Sequence, residues 1–427
     1  MKVAIAGYGA EGQSSYQYYL GKGDDVTIVA PTFSADFMPP KDANVLTGED
    51  VYQKLQGFDI VMRTPPLRPS SIGTNGKIWS QTNEFFAHCP APIIGVTGTK
   101  GKGTTASLIA SILRSSGMKV HLLGNIGVAP LSVLSEISSS DIVVFELSSF
   151  QLWDAEKSPE LAVVVMVEPD HLDIHDSLEE YVDAKGRIAL FQNESDKVIY
   201  HPTNMLSRQV AEQGKGKKTR YAIKDDDEVY IEDGFFMKSN NAICSVDALK
   251  IPGRHNQENA CAAISAALAF GARVDSVEAG LADFHGLPHR LRYVRTFGDA
   301  DYYDDSIATT VGSALAALDS FEGKKIIVLG GSDKGVAYDE LIDACHDKNV
   351  HVVSIGETGH HIAKLCKQKH VSCDRVEGLM ASVVQHIAAI AQKGDTVILS
   401  PASASFDQYK SYSDRGEKFV AAVEALK

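Results

Sequence analysis

Residues Gly95-Val-Thr-Gly98-Thr-Lys100-Gly101-Lys102-Gly103-Thr104-Thr105 form a glycine-rich turn ending in lysine, set between an apolar run and a helix-patterned segment. This is the pattern of a phosphate cradle. Backbone N–H groups and the following helix N-terminus point at one anion, and Lys102 reaches the β- and γ-phosphates of a nucleotide. The match to the common P-loop is incomplete: Val96 stands where the first glycine belongs, and Gly103 follows the lysine where a hydroxyl residue binds Mg²⁺. Glu146 directly follows another apolar run, so it is expected at the carboxyl end of a sheet strand, a place for a Mg²⁺ ligand beside a phosphate loop. The next strand ends in Glu168-Pro-Asp170-His171-Leu-Asp173-Ile-His175, a second polar cluster at the same edge. His171 and His175 have the i, i+4 spacing of zinc ligands, but no third ligand accompanies them at a fixed spacing, which disfavours zinc. Lys185, by spacing alone, reads as a solvated helix lysine.

These groups need a scaffold, and the hydrophobic pattern supplies one. Residues 3–6 read as a strand running into Gly7-Tyr-Gly9-Ala10-Glu11-Gly12, the G-x-G-x-x-G turn of a Rossmann-like βαβ unit. The second strand, 26–30, ends in Pro31-Thr32 rather than in the acidic residue that reads an NAD ribose, so a different phosphorylated nucleotide is favoured. A third strand, 60–62, precedes a Pro-rich stretch, 64–69, and the first boundary is placed near residue 86. Runs at 92–96, 141–145 and 161–167 read as strands of a parallel sheet buried on both faces, with a helix at 104–113. After Lys197 the chain is β-like and charged, and Lys215–Lys218 and Asp225–Glu228 read as solvated hairpin turns. Strands at 325–329, 350–354 and 396–400, separated by amphipathic helices such as 379–392, predict another doubly wound sheet beginning near Pro288. The expected fold is α/β with three domains: a Rossmann-like domain over 1–86, a central P-loop ATPase-type domain with a mostly parallel sheet over 87–286, and a C-terminal Rossmann-like domain over 287–427.

Length agrees, since 427 residues exceed one typical core. The net charge of −14, from 41 basic against 55 acidic residues, argues against nucleic acid or an anionic membrane as the main partner. An anionic substrate must then be met by local cations. Six cysteines without C-x-x-C spacing read as reduced thiols, and neither a charged-then-apolar leader nor a membrane-length apolar run is present, so a cytoplasmic protein is expected.

Taken in order, these motifs resemble those of the Mur ligases of peptidoglycan synthesis: the 97–102 loop, Gly124-Asn125-Ile-Gly127, Phe145-Glu146-Leu-Ser-Ser-Phe-Gln151, Asp170-His171-Leu-Asp173 and Tyr181-x-x-Ala-Lys185. So do Pro252-Gly-Arg-His-Asn256-x-x-Asn259, Pro288-His-Arg290-Leu, Gly330-Gly-Ser-Asp-Lys334 and Ser400-Pro-Ala-Ser-Ala-Ser405. The resemblance runs from about residue 3 to residue 420. It implies an ATP- and Mg²⁺-dependent amide ligase for the bacterial cell wall. Such an enzyme activates a substrate carboxylate as an acyl phosphate, here joining D-glutamate to UDP-N-acetylmuramoyl-L-alanine, and works as a cytoplasmic monomer. It further implies that Gly98, Thr99, Lys100, Gly101, Lys102, Gly103 and Thr104 hold the ATP phosphates. Asn256 and Asn259 match adenine-side contacts, Arg290 a phosphate contact and Asp305 a ribose contact. Glu146, His171 and a carbamylated Lys185 match the metal ligands. Gly9, Ala10, Glu11, Gly12, Thr64 and Asn125 match contacts to the UDP-sugar, and Thr309, Lys334, Ser405 and Tyr412 remain to hold the amino acid.

Several positions depart from the family pattern. Gly103 replaces a hydroxyl residue, Pro66 a glycine near the diphosphate, and Met166 and Glu168 small polar residues. Ile307 stands where a lysine usually helps grip the amino acid. Gly103 would also suit a folylpolyglutamate synthase-like ligase, and the losses at Gly103 and Ile307 would permit a non-catalytic UDP-sugar-binding homologue. Retention of Lys102, Glu146, His171 and Lys185 favours the ligase.

Overall fold

The computed structural model describes residues 1–427 except 35, 36, 126, 127, 225–228 and 334. Five parallel strands, Lys2–Ala6 (β1), Asp25–Val29 (β2), Asn44–Leu46 (β3), Ile60–Arg63 (β4) and Lys77–Ser80 (β5), form a first sheet in the order β3-β2-β1-β4-β5. The crossover helix Ala10–Gly21 follows β1 as the glycine turn predicts. Gly7 must be glycine: its φ is +95°, and a Cβ would lie 2.0 Å from Thr64 Oγ1.

A second sheet of six parallel strands is made of Ile93–Thr97 (β6), Val120–Gly124 (β7), Ile142–Glu146 (β8), Leu161–Val164 (β9), Lys197–Tyr200 (β10) and Lys217–Arg220 (β11), in the order β11-β10-β9-β6-β8-β7. Every residue of β6, β8 and β9 is buried, as expected of strands covered on both faces. Two expectations need correction here. The 161–167 strand leaves the ladder after Val164, because residues 165–168 turn to meet the glycine-rich turn at Thr99 and Lys100. The basic run at 215–218 is no hairpin turn, since Lys217 and Lys218 begin an edge strand paired in parallel with β10; the acidic run 225–228 lies outside the described residues. A small antiparallel meander follows, Val229–Glu232 (β12), Phe235–Lys238 (β13) and Asn241–Ser245 (β14).

The C-terminal sheet comprises Arg292–Phe297 (β15), Ala300–Asp304 (β16), Lys325–Leu329 (β17), His351–Ser354 (β18), Cys373–Arg375 (β19) and Thr396–Leu399 (β20), in the order β15-β16-β20-β17-β18-β19. It is parallel except for β15, and apolar clusters cover both faces.

Compactness divides the chain in two: residues 1–249 with 255–283, and residues 250–254 with 284–427. The first two sheets share a unit for a visible reason. Residue 86, where a boundary is expected, falls in the helix Gln81–His88, whose Phe85 packs edge-on to Phe145 of β8 with ring centroids 5.4 Å apart. All six cysteines are free thiols, and among the described residues no helix is long and apolar enough to cross a membrane.

Candidate active site

The register of the second sheet brings the chemistry to one edge. Val96 of β6 lies opposite Glu146 of β8, and Thr97 opposite Val164 of β9, so the turn after β6, the Glu146 carboxylate and the 165–171 segment all leave the sheet at its carboxyl end. The turn leads straight into the helix Lys102–Ser115 through Gly101 at φ +86°, with no side-chain cap. A helix beginning this way keeps its first N–H groups and its partial positive charge directed at the turn, which suits a phosphate.

The turn is strapped to the neighbouring segment. Thr99 N–H donates to Met166 O at 2.7 Å, Glu168 N–H donates to Thr99 Oγ1 at 2.9 Å, and Thr99 Oγ1 lies 2.7 Å from Tyr181 Oη. Lys100 pairs with the Glu168 carboxylate at 2.9 Å on the exposed side. Met166 and Glu168, two departures from the family pattern, hold the turn through their backbones, which any residue supplies, while the Met166 sulfur accepts from Asn204 Nδ2 at 3.1 Å and the Glu168 carboxylate meets Lys100.

Lys102 Nζ donates to Thr99 O at 3.1 Å, and Lys185 Nζ to Gly98 O at 2.8 Å. The reading of Lys185 as a solvated helix residue is wrong: it is 1% exposed, projecting from the helix Leu178–Leu190 beneath the turn, with Nζ 4.6 Å from the Tyr181 ring centroid. Burial, and after it the charge of Lys102, pushes the Lys185 ammonium well below the usual lysine value against the opposing pull of Asp170 and Glu146. The amine therefore sheds its proton more readily than a solvent-exposed lysine does. Glu146 is itself buried, and Asn125 N–H donates to its carbonyl at 3.3 Å.

His171 is exposed at φ +51°, with Nε2 3.5 Å from Asp170 Oδ2. His175 points elsewhere. It is buried, with Nε2 3.1 Å from Ser149 Oγ, its ring stacked on Phe150, and burial as the main cause lowering its pKa. The two imidazoles thus do not share a ligand set, and among the described residues no group of three acidic, histidine or cysteine side chains is arranged to hold a metal ion. From the other side Asn259, in the helix Arg254–Ala269, approaches Gly101, and its Nδ2 donates to Asn256 Oδ1 at 3.4 Å.

In the first sheet, Gly9 caps the helix beginning at Ala10, and Thr64 N–H and Oγ1–H both donate to Ala6 O at 3.0 Å. The Glu11 carboxylate accepts from Gln151 Nε2 at 2.8 Å. Two residues here escaped the sequence reading. Arg63, at the end of β4 and 2% exposed, donates to both Asp154 carboxylate oxygens and to Phe150 O. Arg68 donates to Asp176 Oδ1 at 2.6 Å and to the Glu180 oxygens at 2.6 and 2.7 Å. A charged residue ending an apolar strand, the cue that exposed Glu146, would have flagged Arg63.

Within the C-terminal unit, Asp305 follows β16 and is buried. It accepts from Ser400 Oγ at 2.7 Å and from Leu291 N–H at 3.2 Å, and burial is the main reason its carboxyl is pushed up to about 7. Arg290 is exposed and close enough to oppose that shift. Arg415, 1% exposed, donates to Ser306 Oγ and O and to the carbonyls of Ser403 and Ala404, tying the 305–309 and 400–405 segments together. Ser405 is buried, its hydroxyl among the buried side-chain oxygens without a hydrogen-bond partner, while Thr309 is half-buried and Tyr412 is 40% exposed. Lys334 lies outside the described residues.

Comparison with known proteins agrees with this architecture. Residues 96–267 match the Mur ligase middle domain and residues 289–403 the Mur ligase, glutamate ligase domain. The chain is 33% identical to UDP-N-acetylmuramoylalanine--D-glutamate ligase of Ruminiclostridium cellulolyticum and 36% identical to that of Acetivibrio thermocellus, covering all of this chain and 97% and 96% of theirs. Among solved structures, UDP-N-acetylmuramate-alanine ligase MurC of Thermotoga maritima superimposes with a TM-score of 0.63 at 17% identity, over 100% of this chain and 99% of that one. MurF ligase of the same organism, solved with ADP, gives 0.57 at 17% identity, over 99% and 94%.

Proposed function

The chain belongs to the Mur ligase family, and on that premise we propose that it joins D-glutamate to UDP-N-acetylmuramoyl-L-alanine, converting ATP to ADP and phosphate. Full-length similarity to D-glutamate ligases favours this over a folylpolyglutamate synthase-like activity. The observation that carries it is the buried Lys185 amine set between Gly98 O and the charges of Lys102, Asp170 and Glu146, an arrangement with no purpose in a mere sugar-nucleotide binder.

A carboxylate resists attack by an amine, so it must first be activated. The L-alanyl carboxylate oxygen attacks the γ-phosphorus and ADP leaves. The D-glutamate amine, having lost its ammonium proton, then attacks the acyl carbon, and phosphate leaves from the tetrahedral intermediate as the amide forms. Positioning and charge neutralisation dominate such a reaction. Gly98 to Thr104 cradle the ATP phosphates and Lys102 neutralises the moving phosphoryl group. Asn256 and Asn259 face the adenine, Arg290 a phosphate, and Asp305 the ribose. Gly9, Ala10, Glu11, Gly12, Thr64 and Asn125 receive the UDP-sugar. Thr309, Lys334, Ser405 and Tyr412 hold D-glutamate.

The donor set suits Mg²⁺. Glu146 supplies a carboxylate, His171 an exposed imidazole, and the depressed Lys185 amine can add CO₂ to become an anionic carbamate, converting a repelling cation into a ligand. When bound, the metal supplies neutralisation of phosphate oxygens. The functional division proposed is 1–86 for the UDP-sugar, 87–286 for ATP and 287–427 for the amino acid, in a cytoplasmic monomer. Phosphate release is to be measured with UDP-N-acetylmuramoyl-L-alanine across a panel of amino acids. Turnover dependent on D-glutamate is expected, and a neutral amino acid preferred about tenfold or more would overturn the substrate assignment.

A further inference from the structure

The loop after β4 carries Thr64, proposed to meet the sugar nucleotide, and four residues later Arg68, with Pro65 and Pro66 stiffening the link and Pro69 following it. Arg63 fixes the base of this loop, donating to Pro65 O and Leu67 O as well as to Asp154. Arg68 reaches outward to a different place. Its guanidinium forks between Asp176 and Glu180, and its carbon lies 5.3 Å from the Trp153 ring centroid. Each of these partners borders the segment that carries His171. Asp176 ends that segment, and its N–H donates to Glu180 Oε2 at 2.6 Å. Glu180 stands in the first turn of the helix Leu178–Leu190 and accepts Trp153 Nε1–H at 3.0 Å. The Trp153 ring packs 4.5 Å from His175, and Phe150 packs against both His175, at 5.5 Å, and His171, at 4.9 Å.

We propose that Arg68 is a positioning residue that couples the UDP-sugar loop to His171: occupancy at Thr64 sets the Arg68 fork, and the fork, through Asp176, Glu180 and the Trp153–His175–Phe150 stack, sets where His171 stands. His171 is exposed, at positive φ, and is held by this stack and by Asp170, so a displacement of Trp153 reaches it through Phe150. The order of events follows. The metal site becomes complete when the sugar nucleotide is in place, which limits ATP hydrolysis without substrate. A partly exposed ion pair ordinarily contributes little to stability, so a purely structural role would leave kinetics and metal dependence unmoved.

The inference rests on the proposed ligase reading, and the test separates the two. The chain has two tryptophans, so Trp79→Phe leaves Trp153 as the sole tryptophan, excited selectively at wavelengths where tyrosine does not absorb. In that background, UDP-N-acetylmuramoyl-L-alanine added without ATP or Mg²⁺ is expected to shift Trp153 emission, and Arg68→Ala to abolish the shift while calorimetry still detects binding. In turnover, Arg68→Ala should raise the Mg²⁺ concentration for half-maximal rate about tenfold or more, the scale for outer residues that orient ligands, while KM for ATP stays within about twofold. Arg68→Lys, which cannot fork, should restore little of this. Should Arg68→Ala fail to fold, Arg68→Gln is read by the same measurements. An unchanged Trp153 response and Mg²⁺ dependence in a folded variant overturns the coupling. A wild-type protein that releases no phosphate with UDP-N-acetylmuramoyl-L-alanine and any amino acid overturns the ligase reading instead.

Discussion

Gly101 and Asn259 adjoin so closely that a Cβ on Gly101 would lie 2.5 Å from Asn259 Oδ1 and 2.9 Å from its Nδ2, at a φ of +86° that side chains rarely adopt. The glycine-rich turn is therefore shaped by two demands at once, left-handed backbone and empty space. Gly101→Ala should lower stability by ~1–2 kcal/mol and raise KM for ATP about tenfold or more. Adding Asn259→Ala relieves the clash but not the strain. Thermal unfolding of the double variant should accordingly fall short of the sum of the singles.

Lys102 and Glu146 lie at the same sheet edge, and in the proposed phosphoryl-transfer site removing either strips preorganised charge. Lys102→Ala and Glu146→Ala should each lower kcat by orders of magnitude, since one such group is worth ~3 kcal/mol or more. Steady-state phosphate release reads this; wild-type turnover by Glu146→Ala would end its assignment as a metal ligand.

For Lys185 the sign is fixed by burial. Its ammonium is pushed down, so the neutral amine that CO₂ requires is reached at lower pH than in an exposed lysine, and acidification, by protonating the amine, would reverse the proposed adduct. Activity should decline at low pH and in CO₂-free buffer, and recover when bicarbonate is added. Lys185→Ala should be inactive yet partly rescued by acetate, which returns a carboxylate to the space; an adduct-free Lys185 in a fully active preparation, seen by mass spectrometry under native conditions, contradicts carbamylation.

Asp305 gives the C-terminal unit a pH signature of its own. Burial raises its carboxyl from 3.8 to about 7, so the folded state holds the proton more tightly than the unfolded chain. The stability this confers is full below about pH 4 and is lost as pH rises through about 7, a change on the order of 4 kcal/mol. Asp305→Asn should flatten that part of the unfolding profile measured by denaturant titration, and should also raise KM for ATP if the residue meets the ribose.

Ile307 occupies a half-buried position whose backbone is held by Ile307 N–H to His289 O at 3.0 Å and Thr309 N–H to Ile307 O at 2.8 Å. A lysine there changes the side chain without disturbing those bonds. Ile307→Lys is expected to lower KM for D-glutamate about tenfold, equivalent to ~1.4 kcal/mol, with little change for ATP. An unaltered D-glutamate KM would remove residue 307 from the amino-acid site.

What the sequence made legible were groups whose cue is local. Glu146 and the Gly98–Lys102 turn each directly follow an apolar run, so strand, edge and chemistry are read from a few adjacent residues. Lys185 is different: its buried amine donates to Gly98 O, 87 positions away, and helix spacing alone carries no sign of it. Arg63 and Arg68 likewise meet partners 91 and 112 positions distant. His175 has the spacing of a ligand yet spends its imidazole on Ser149 and a ring stack, because the 171–176 segment turns it inward. The fold class was readable because buried parallel strands announce themselves as unbroken apolar runs. The edge strand Lys217–Arg220 was missed because no such run marks it.

That edge strand has a further consequence. The outermost strand of a sheet offers backbone N–H and C=O groups to any passing chain, which invites polymerisation. Here the outermost strand of a six-stranded sheet is Lys-Lys-Thr-Arg, with Lys217 and Lys218 exposed. A second copy approaching in register would bring like charges together, so the basic run acts as a gatekeeper against edge-to-edge association. Neutralising it, as in Lys217→Thr with Lys218→Val, should leave catalysis intact and lower the concentration at which the protein begins to aggregate.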